Sequence, residues 1–308
     1  MSVQRDLLVK SHGRACKPWA LILAGGDGVR LRPVTRQIAG DDRPKQFCAL
    51  LGRDTLWEET RRRAQLSVAP TRVMSVVTES HERYYAPLLA SERLTRVVVQ
   101  PENRGTGPGL LYGLLRIVRT DSRAVVLVLP SDHWVSDDRA FMARVDVALS
   151  TASQHPDVVT LLGMAPDRIE TEYGWIEPGA ALTADARRVA RFCEKPTADV
   201  ATIVRARGGL WNSLVMAGRV GAFLSLFAGT VPVLYDAFAP LRSSLGRLGE
   251  VRAAREVYMS LPVVDFSRLV LQAAPERLAV VAVRGVEWND LGDPIRLRMT
   301  RDLVSVAL

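Results

Sequence analysis

Trp19-Ala20-Leu21-Ile22-Leu23-Ala24 (WALILA), running straight into Gly25-Gly26-Asp27-Gly28-Val29-Arg30-Leu31, is the stretch on which the fold turns. Six apolar residues without polar alternation read as a strand buried on both faces. The glycines end it and let the backbone approach a ligand without a Cβ in the way. Outward from this point the pattern repeats. Arg72–Thr78 (RVMSVVT), Arg96–Gln100, Ala124–Leu129 (AVVLVL) and Asp157–Gly163 read as further strands. Helical stretches at Thr55–Ser67, His81–Ala90, Gly109–Arg119 and Asp138–Ser153 separate them. Such alternation predicts a mostly parallel sheet covered on both faces. With right-handed crossovers it becomes a doubly wound, Rossmann-like α/β fold.

The second half changes character. Tyr173–Glu177 and Val189–Cys193 read as strands with polar alternation, and Glu194-Lys195-Pro196 as a turn. A helix is expected at Ala198–Arg207 and another from Val220; Gly246–Arg255, charged and punctuated by glycine, reads as a surface segment. Ala279–Val283 is a late strand and Pro294–Val304 a closing helix. Without an internal repeat or long linker, the chain is expected to form one domain over residues 19–308, with an embedded lobe, after a flexible N-terminal extension at residues 1–18.

The 308 residues are 48% hydrophobic, enough for a sizeable core. No apolar run reaches the roughly 20 residues of a membrane-spanning helix. The polar, basic N-terminus does not read as a signal peptide, so the expected location is the cytoplasm, with no membrane partner. Three cysteines (Cys16, Cys48, Cys193) are too few and too scattered for a disulfide framework or a metal cluster. The 41 basic and 33 acidic residues give +8. Such a charge suits phosphorylated metabolites as well as nucleic acid, but no aromatic-interleaved basic patch or recognition motif accompanies it, so no nucleic-acid partner is expected.

The loop Gly25–Leu31 is neither GxxxxGK[ST] nor GxGxxG, because Gly25, Gly26 and Gly28 have the wrong spacing. Backbone N–H groups in a glycine-rich loop nevertheless cradle phosphate oxygens well. Arg30 follows its glycines, and Lys45 in Arg43-Pro44-Lys45-Gln46-Phe47 lies close behind in sequence. Cations so placed suit a triphosphate and the charge developing on a leaving pyrophosphate. Pro101–Gly109 (PENRGTGPG), between a strand and a helix, offers a helix N-terminus to a base or phosphate. Asp132 follows the apolar strand AVVLVL, where open α/β sheets bind ligands. Asp290 in Trp288-Asn289-Asp290-Leu291-Gly292 is too far from Asp132 in sequence for spacing alone to make a metal signature.

Together GGDGVRLRPVTR and RPKQF resemble the signature of sugar-1-phosphate nucleotidylyltransferases. The PKQF form is most similar to mannose-1-phosphate guanylyltransferases, also called GDP-mannose pyrophosphorylases. The resemblance runs in order from about Trp19 to Gly292. It implies a transfer from a nucleoside triphosphate, GTP in this subfamily, to a sugar-1-phosphate, mannose-1-phosphate in this subfamily, with release of pyrophosphate and no covalent intermediate. It implies nucleotide contacts at Leu23, Ala24, Gly25, Gly26, Gly28, Arg30, Lys45, Gly105, Thr106 and Asp132, with Arg30 and Lys45 catalytic. It pairs Asp132 with Asp290 as ligands of Mg²⁺. Tyr173-Gly174-Trp175-Ile176-Glu177 is similar to YGYIE, Phe192–Pro196 to FVEKP and Leu210–Ser213 to WNSG, which implies sugar-phosphate contacts at Gly174, Glu177, Glu194, Lys195 and Asn212. Residues 19–165 would then serve mainly the nucleotide and 166–292 the sugar phosphate, with 293–308 closing the domain. Two positions depart from the family: Leu214 stands where glycine is usual after WNS, and Arg32 where this subfamily often has tryptophan. Both bear on sugar identity, so glucose-1-phosphate with UTP or dTTP stays open, as do a non-catalytic sugar-nucleotide-binding regulator and homo-oligomer formation.

Overall fold

The computed structural model describes residues 17–90 and 96–306. Cys16 and nearly all of the expected N-terminal extension lie outside them. Among the described residues eleven strands run in order as β1 (Trp19–Leu23), β2 (Val73–Thr78), β3 (Arg96–Gln100), β4 (Val125–Pro130), β5 (Trp134–Val135), β6 (Val159–Met164), β7 (Trp175–Ala181), β8 (Ala186–Cys193), β9 (Leu210–Arg219), β10 (Leu278–Val283) and β11 (Trp288–Asn289). Nine of them form one sheet ordered β3-β2-β1-β4-β9-β6-β10-β8-β7, while β5 and β11 make a small antiparallel pair. Only β9 and β8 run against the other seven, so the sheet is mixed but mostly parallel in direction.

The helices are α1 (Arg32–Ala39), α2 (Leu56–Ala64), α3 (Glu82–Ala90), α4 (Thr106–Thr120), α5 (Asp138–Gln154), α6 (Ala198–Ala206), α7 (Val220–Thr230), α8 (Pro232–Ala237), α9 (Ala239–Ser244), α10 (Glu250–Ser260) and α11 (Pro294–Val306). Successive strand residues point to opposite faces. Leu21, Val76 and Val128 therefore join one apolar core with α4, α7 and α10, while Ile22, Val77 and Leu127 join a second with α2, α3, α5 and α6. This is the two-sided cover that unbroken apolar strands require. Among the described residues no single helix is long and apolar enough to cross a membrane.

The sequence reading had no helix at α1, α8 or α9 and no strand at β5 or β11, and it differs from the structure at two further segments that bear on the site. Gly246–Arg255 is not merely a surface stretch: α10 begins within it and buries Ala253, Ala254, Val257 and Tyr258. The charges of Arg252, Arg255 and Glu256 mask that face in the linear sequence. The ten-residue β9 was legible only as the WNSG-like motif at Leu210–Ser213, with no strand read there. Its apolar alternation is broken at Leu214, whose φ of +57° is left-handed and interrupts the strand period.

Candidate active site

The sheet dictates where a ligand fits. β1 lies between β2 and β4, so successive connections depart to opposite sides at its C-terminal end, the usual ligand crevice of a doubly wound fold. The loop after β1 is held from three directions. Gln46 donates its side-chain amide to the carbonyls of Ala24 (3.0 Å) and Gly26 (2.7 Å). Thr78 Oγ1 donates to the Gly25 carbonyl at 2.9 Å, and the buried Ala24 donates its N–H to the Val76 carbonyl. Gly28 takes a left-handed φ of +57°, and a Cβ there would meet the Lys45 backbone nitrogen at 2.9 Å. At Gly26 a Cβ would meet nothing within 4 Å. Its openness faces a cavity of about 310 Å³ lined by Leu23, Gly25, Gly26, Gln100, Asn103, Gly105, Thr106, Asp132 and Leu214.

A second hollow of about 380 Å³ is lined by Gly28, Arg30, Lys45, Asp132 and Asp290. Asp132 and His133 line both, so the two share a wall. Lys45, only 9% exposed, is the hub. Its ammonium donates to the backbone carbonyls of Asp290 and of Leu291 (3.0 Å) and lies 3.2 Å from Asp132 Oδ2. Tertiary structure thus brings Asp132 and Asp290, remote in sequence, to the lining of one hollow. Asp290 Oδ1 also accepts from the Tyr173 hydroxyl (3.0 Å) and from Arg296 Nη1 (3.1 Å). Burial works to raise the Asp290 carboxyl pKa, but the charges of His133, Arg296 and Lys45 and the Tyr173 hydrogen bond outweigh it and hold the group below its ordinary value. A Cβ at Gly292 would sit 2.7 Å from Asp290 Oδ2, which explains glycine there. Two carboxylates on one hollow form an all-oxygen donor set that fits a hard cation. Among the described residues no group of three or more His, Cys, Asp or Glu could hold a metal, so the remaining ligands would be water and substrate oxygens.

Gly174, Glu194 and Asn212 also converge. A Cβ at Gly174 would lie 2.7 Å from Glu194 Oε2 and 3.2 Å from the Asn212 Cβ, and Asn212 donates its N–H to the Gly174 carbonyl at 2.8 Å. Burial, reinforced by Asp265, pushes the Glu194 carboxyl pKa up to about 7. Lys195 lies 3.6 Å from Glu172, whose carboxylate is also 4.0 Å from Arg30. Arg30 and Lys195, which the resemblance gives to different substrates, therefore meet at one exposed carboxylate. Glu177 does not join this group: it pairs with Arg191 (3.1 Å) and Arg207 (3.2 Å). Sequence reasoning missed Glu172, Tyr173 as a hydroxyl donor, and Arg296. Tyr173 stood inside a quoted motif, whereas Arg296 carried no signal. Among the described residues three non-glycines have left-handed φ, Lys195 (+47°), Leu214 (+57°) and Leu291 (+49°), and all three lie in or beside these motifs. Strain of this kind gathers at functional sites.

A model of the nucleotidyl transferase family matches residues 19–300. The xanthan biosynthesis protein XanB of Xanthomonas campestris pv. campestris (strain B100) is 31% identical over 281 residues, covering 88% of this chain and 57% of that protein. A mannose-1-phosphate guanylyltransferase of Klebsiella pneumoniae is 29% identical over 279 residues, with coverage of 88% and 57%. The chain thus spans little more than half the length of these relatives. The crystal structure of mannose-1-phosphate geranyltransferase from Thermus thermophilus superimposes with a TM-score of 0.77 at 33% identity, over 90% of this chain and 76% of that one. UDP-glucose pyrophosphorylase complexed with UDP-glucose shares the fold at 12% identity, with a TM-score of 0.58.

Proposed function

The chain belongs to the nucleotidyl transferase family, and from that premise we propose that it transfers a nucleotidyl group from a nucleoside triphosphate to a sugar-1-phosphate, releasing pyrophosphate. The observation that carries the reading is the Lys45 ammonium held between Asp132 and the Asp290 backbone beside the open Gly26 loop. The PKQF segment and the relatives named mannose-1-phosphate guanylyltransferase favour GTP and mannose-1-phosphate, giving GDP-mannose. Glucose-1-phosphate with UTP or dTTP would use the same chemistry. Such nucleotide substrates are met in the cytoplasm.

In this reading Gly25–Gly28 cradle the triphosphate and Arg30 and Lys45 neutralise it, while the loop at Gly105 and Thr106 borders the base. Gly174, Glu194 and Asn212 hold the sugar, and Lys195 its phosphate. A sugar-phosphate oxygen attacks the α-phosphorus in line, the bond to the β-phosphate oxygen breaks, and pyrophosphate leaves with the electron pair. Residues 19–165 thus carry mainly the nucleotide and 166–292 the sugar phosphate, within one domain closed by 293–308. The barrier falls through alignment of the reacting atoms and preorganised positive charge. Asp132 and Asp290 would hold Mg²⁺, which when bound supplies charge neutralisation on the phosphates. Glu177, already satisfied by two arginines, would act only by shaping the strand.

Pyrophosphate release in Mg²⁺, with GTP, UTP, dTTP, CTP and ATP crossed against mannose- and glucose-1-phosphate, tests the proposal. Release with GTP and mannose-1-phosphate alone supports the full reading, and release with another pair corrects the substrates. No release from folded protein overturns it in favour of a sugar-nucleotide-binding regulator. Asp132→Asn and Lys45→Ala should each lower kcat/KM by at least ~10²–10³-fold, and near-normal turnover in either would remove that residue from the chemistry.

A further inference from the structure

The glycine loop contains an acidic residue that electrostatics alone disfavours. Asp27 lies between Gly26 and Gly28, where a bare carboxylate would repel the polyanion the loop is read as binding. The structure turns both its oxygens elsewhere. Oδ1 lies 3.1 Å from His81 Nε2, and Oδ2 accepts from the Asn103 side-chain amide at 2.8 Å. Asn103 Oδ1 in turn accepts from the Gly105 N–H at 3.0 Å. His81 is a firm anchor, buried and packed edge-on against the Phe47 ring. Its Nδ1 is buried without a partner, which favours the neutral ring with its proton on Nε2, donated to Asp27. The far end of the chain of contacts is equally constrained: Gly105 has φ +85°, and a Cβ there would meet the Val264 carbonyl oxygen at 2.6 Å.

We propose that Asp27 is a positioning residue, which ties the phosphate-side loop to the base-side loop through His81 and Asn103 and so fixes the span of the nucleotide cavity. The proposal rests on reading that cavity as the triphosphate site. Its reach extends to specificity: one short bridge sets the separation between the triphosphate loop at Gly26 and the base loop at Gly105. Asp27 thus acts on nucleotide binding and not on the sugar phosphate, whose residues sit on other strands.

The test uses Asp27→Ala and Asp27→Asn in the whole chain; the Asp27 side chain is 40% exposed, so neither is expected to prevent folding. Simple charge removal predicts tighter triphosphate binding in Asp27→Ala. The bridge predicts the opposite sign: the KM for the triphosphate rises about tenfold, the scale of one lost charge-assisted hydrogen bond, while the KM for the sugar phosphate stays within about twofold. Asp27→Asn, which keeps one acceptor, should fall between. Amide exchange of the substrate-free protein gives a reading independent of activity. Removing Asp27 should speed exchange at the Gly105 N–H, and Asn103→Ala should do the same. Unchanged Gly105 exchange in Asp27→Ala, or a lowered triphosphate KM, overturns the bridge. If the wild-type chain releases no pyrophosphate with any pair, the proposed function falls, and the exchange data alone still decide whether the loops are coupled.

Discussion

Lys45 shows how a residue legible in sequence gains its meaning from partners that were not. RPKQF marks it as a cation near a phosphate loop, but only the fold supplies the carbonyls of Asp290 and Leu291 that hold it. Glu194 is similar: its motif is readable, its raised pKa is not, because burial beside Asp265 causes it. The folded protein holds this proton more tightly than the unfolded chain, for which the ordinary value is 4.5. The Glu194 contribution to stability is therefore full below pH 4.5 and lost as pH rises through about 7. Glu194→Gln should remove that loss. Urea midpoints of variant and wild type, compared at about pH 4.5 and about pH 8, should diverge in favour of the variant at the higher pH, and an equal gap at both would contradict the shift. Leu214 gives a test of strain. At φ +57° glycine should outlast alanine, reversing their usual order: Leu214→Gly should be more stable than Leu214→Ala by about 0.5–1 kcal/mol, the left-handed cost less the extra flexibility of unfolded glycine. Alanine equal or superior in a denaturant titration would mean that the backbone relaxes there.

Elements were read well where local rules govern them. α2, read as a helical stretch from Thr55, is an example, and the structure shows the capping box that starts it: Thr55 accepts from the Glu58 N–H, and the Glu58 carboxylate accepts from the Thr55 N–H at 2.8 Å. Thr55→Ala should cost about 1 kcal/mol, and Thr55→Ser far less; equal thermal midpoints for all three proteins would show the cap to be redundant. α2 matters to the site because Trp57 on it is fully buried beneath β1 and β2, donating its indole N–H to Ser75 at 3.0 Å. β9 went unread and α10 was misjudged, for opposite reasons. β9 loses its period at a left-handed residue, whereas α10 hides an apolar face among charges. Both serve the site: β9 carries Asn212 and Leu214, and Tyr258 on α10 donates to Gln100 at the cavity floor (3.3 Å).

Across the whole molecule, one sheet passes through both halves, with β9 inserted between β4 and β6. Neither half has a core of its own, since each of the two large apolar clusters draws residues from before and after residue 165. Thermal unfolding should accordingly appear as one transition by tryptophan fluorescence and by far-ultraviolet circular dichroism. Two separated transitions would mean that the halves fold independently. The sequence by itself determined the parallel β/α alternation, the glycine loop and the order of the motifs, because strand period, helix caps and turn glycines act over a few residues. Only the tertiary structure decided that Asp132 and Asp290 flank one lysine, that Arg296 and Tyr173 brace Asp290, and that Glu177 turns to two arginines. Those outcomes depend on which strand ends adjoin, and adjacency across the sheet is set by the packing of two cores, which no short window of sequence records.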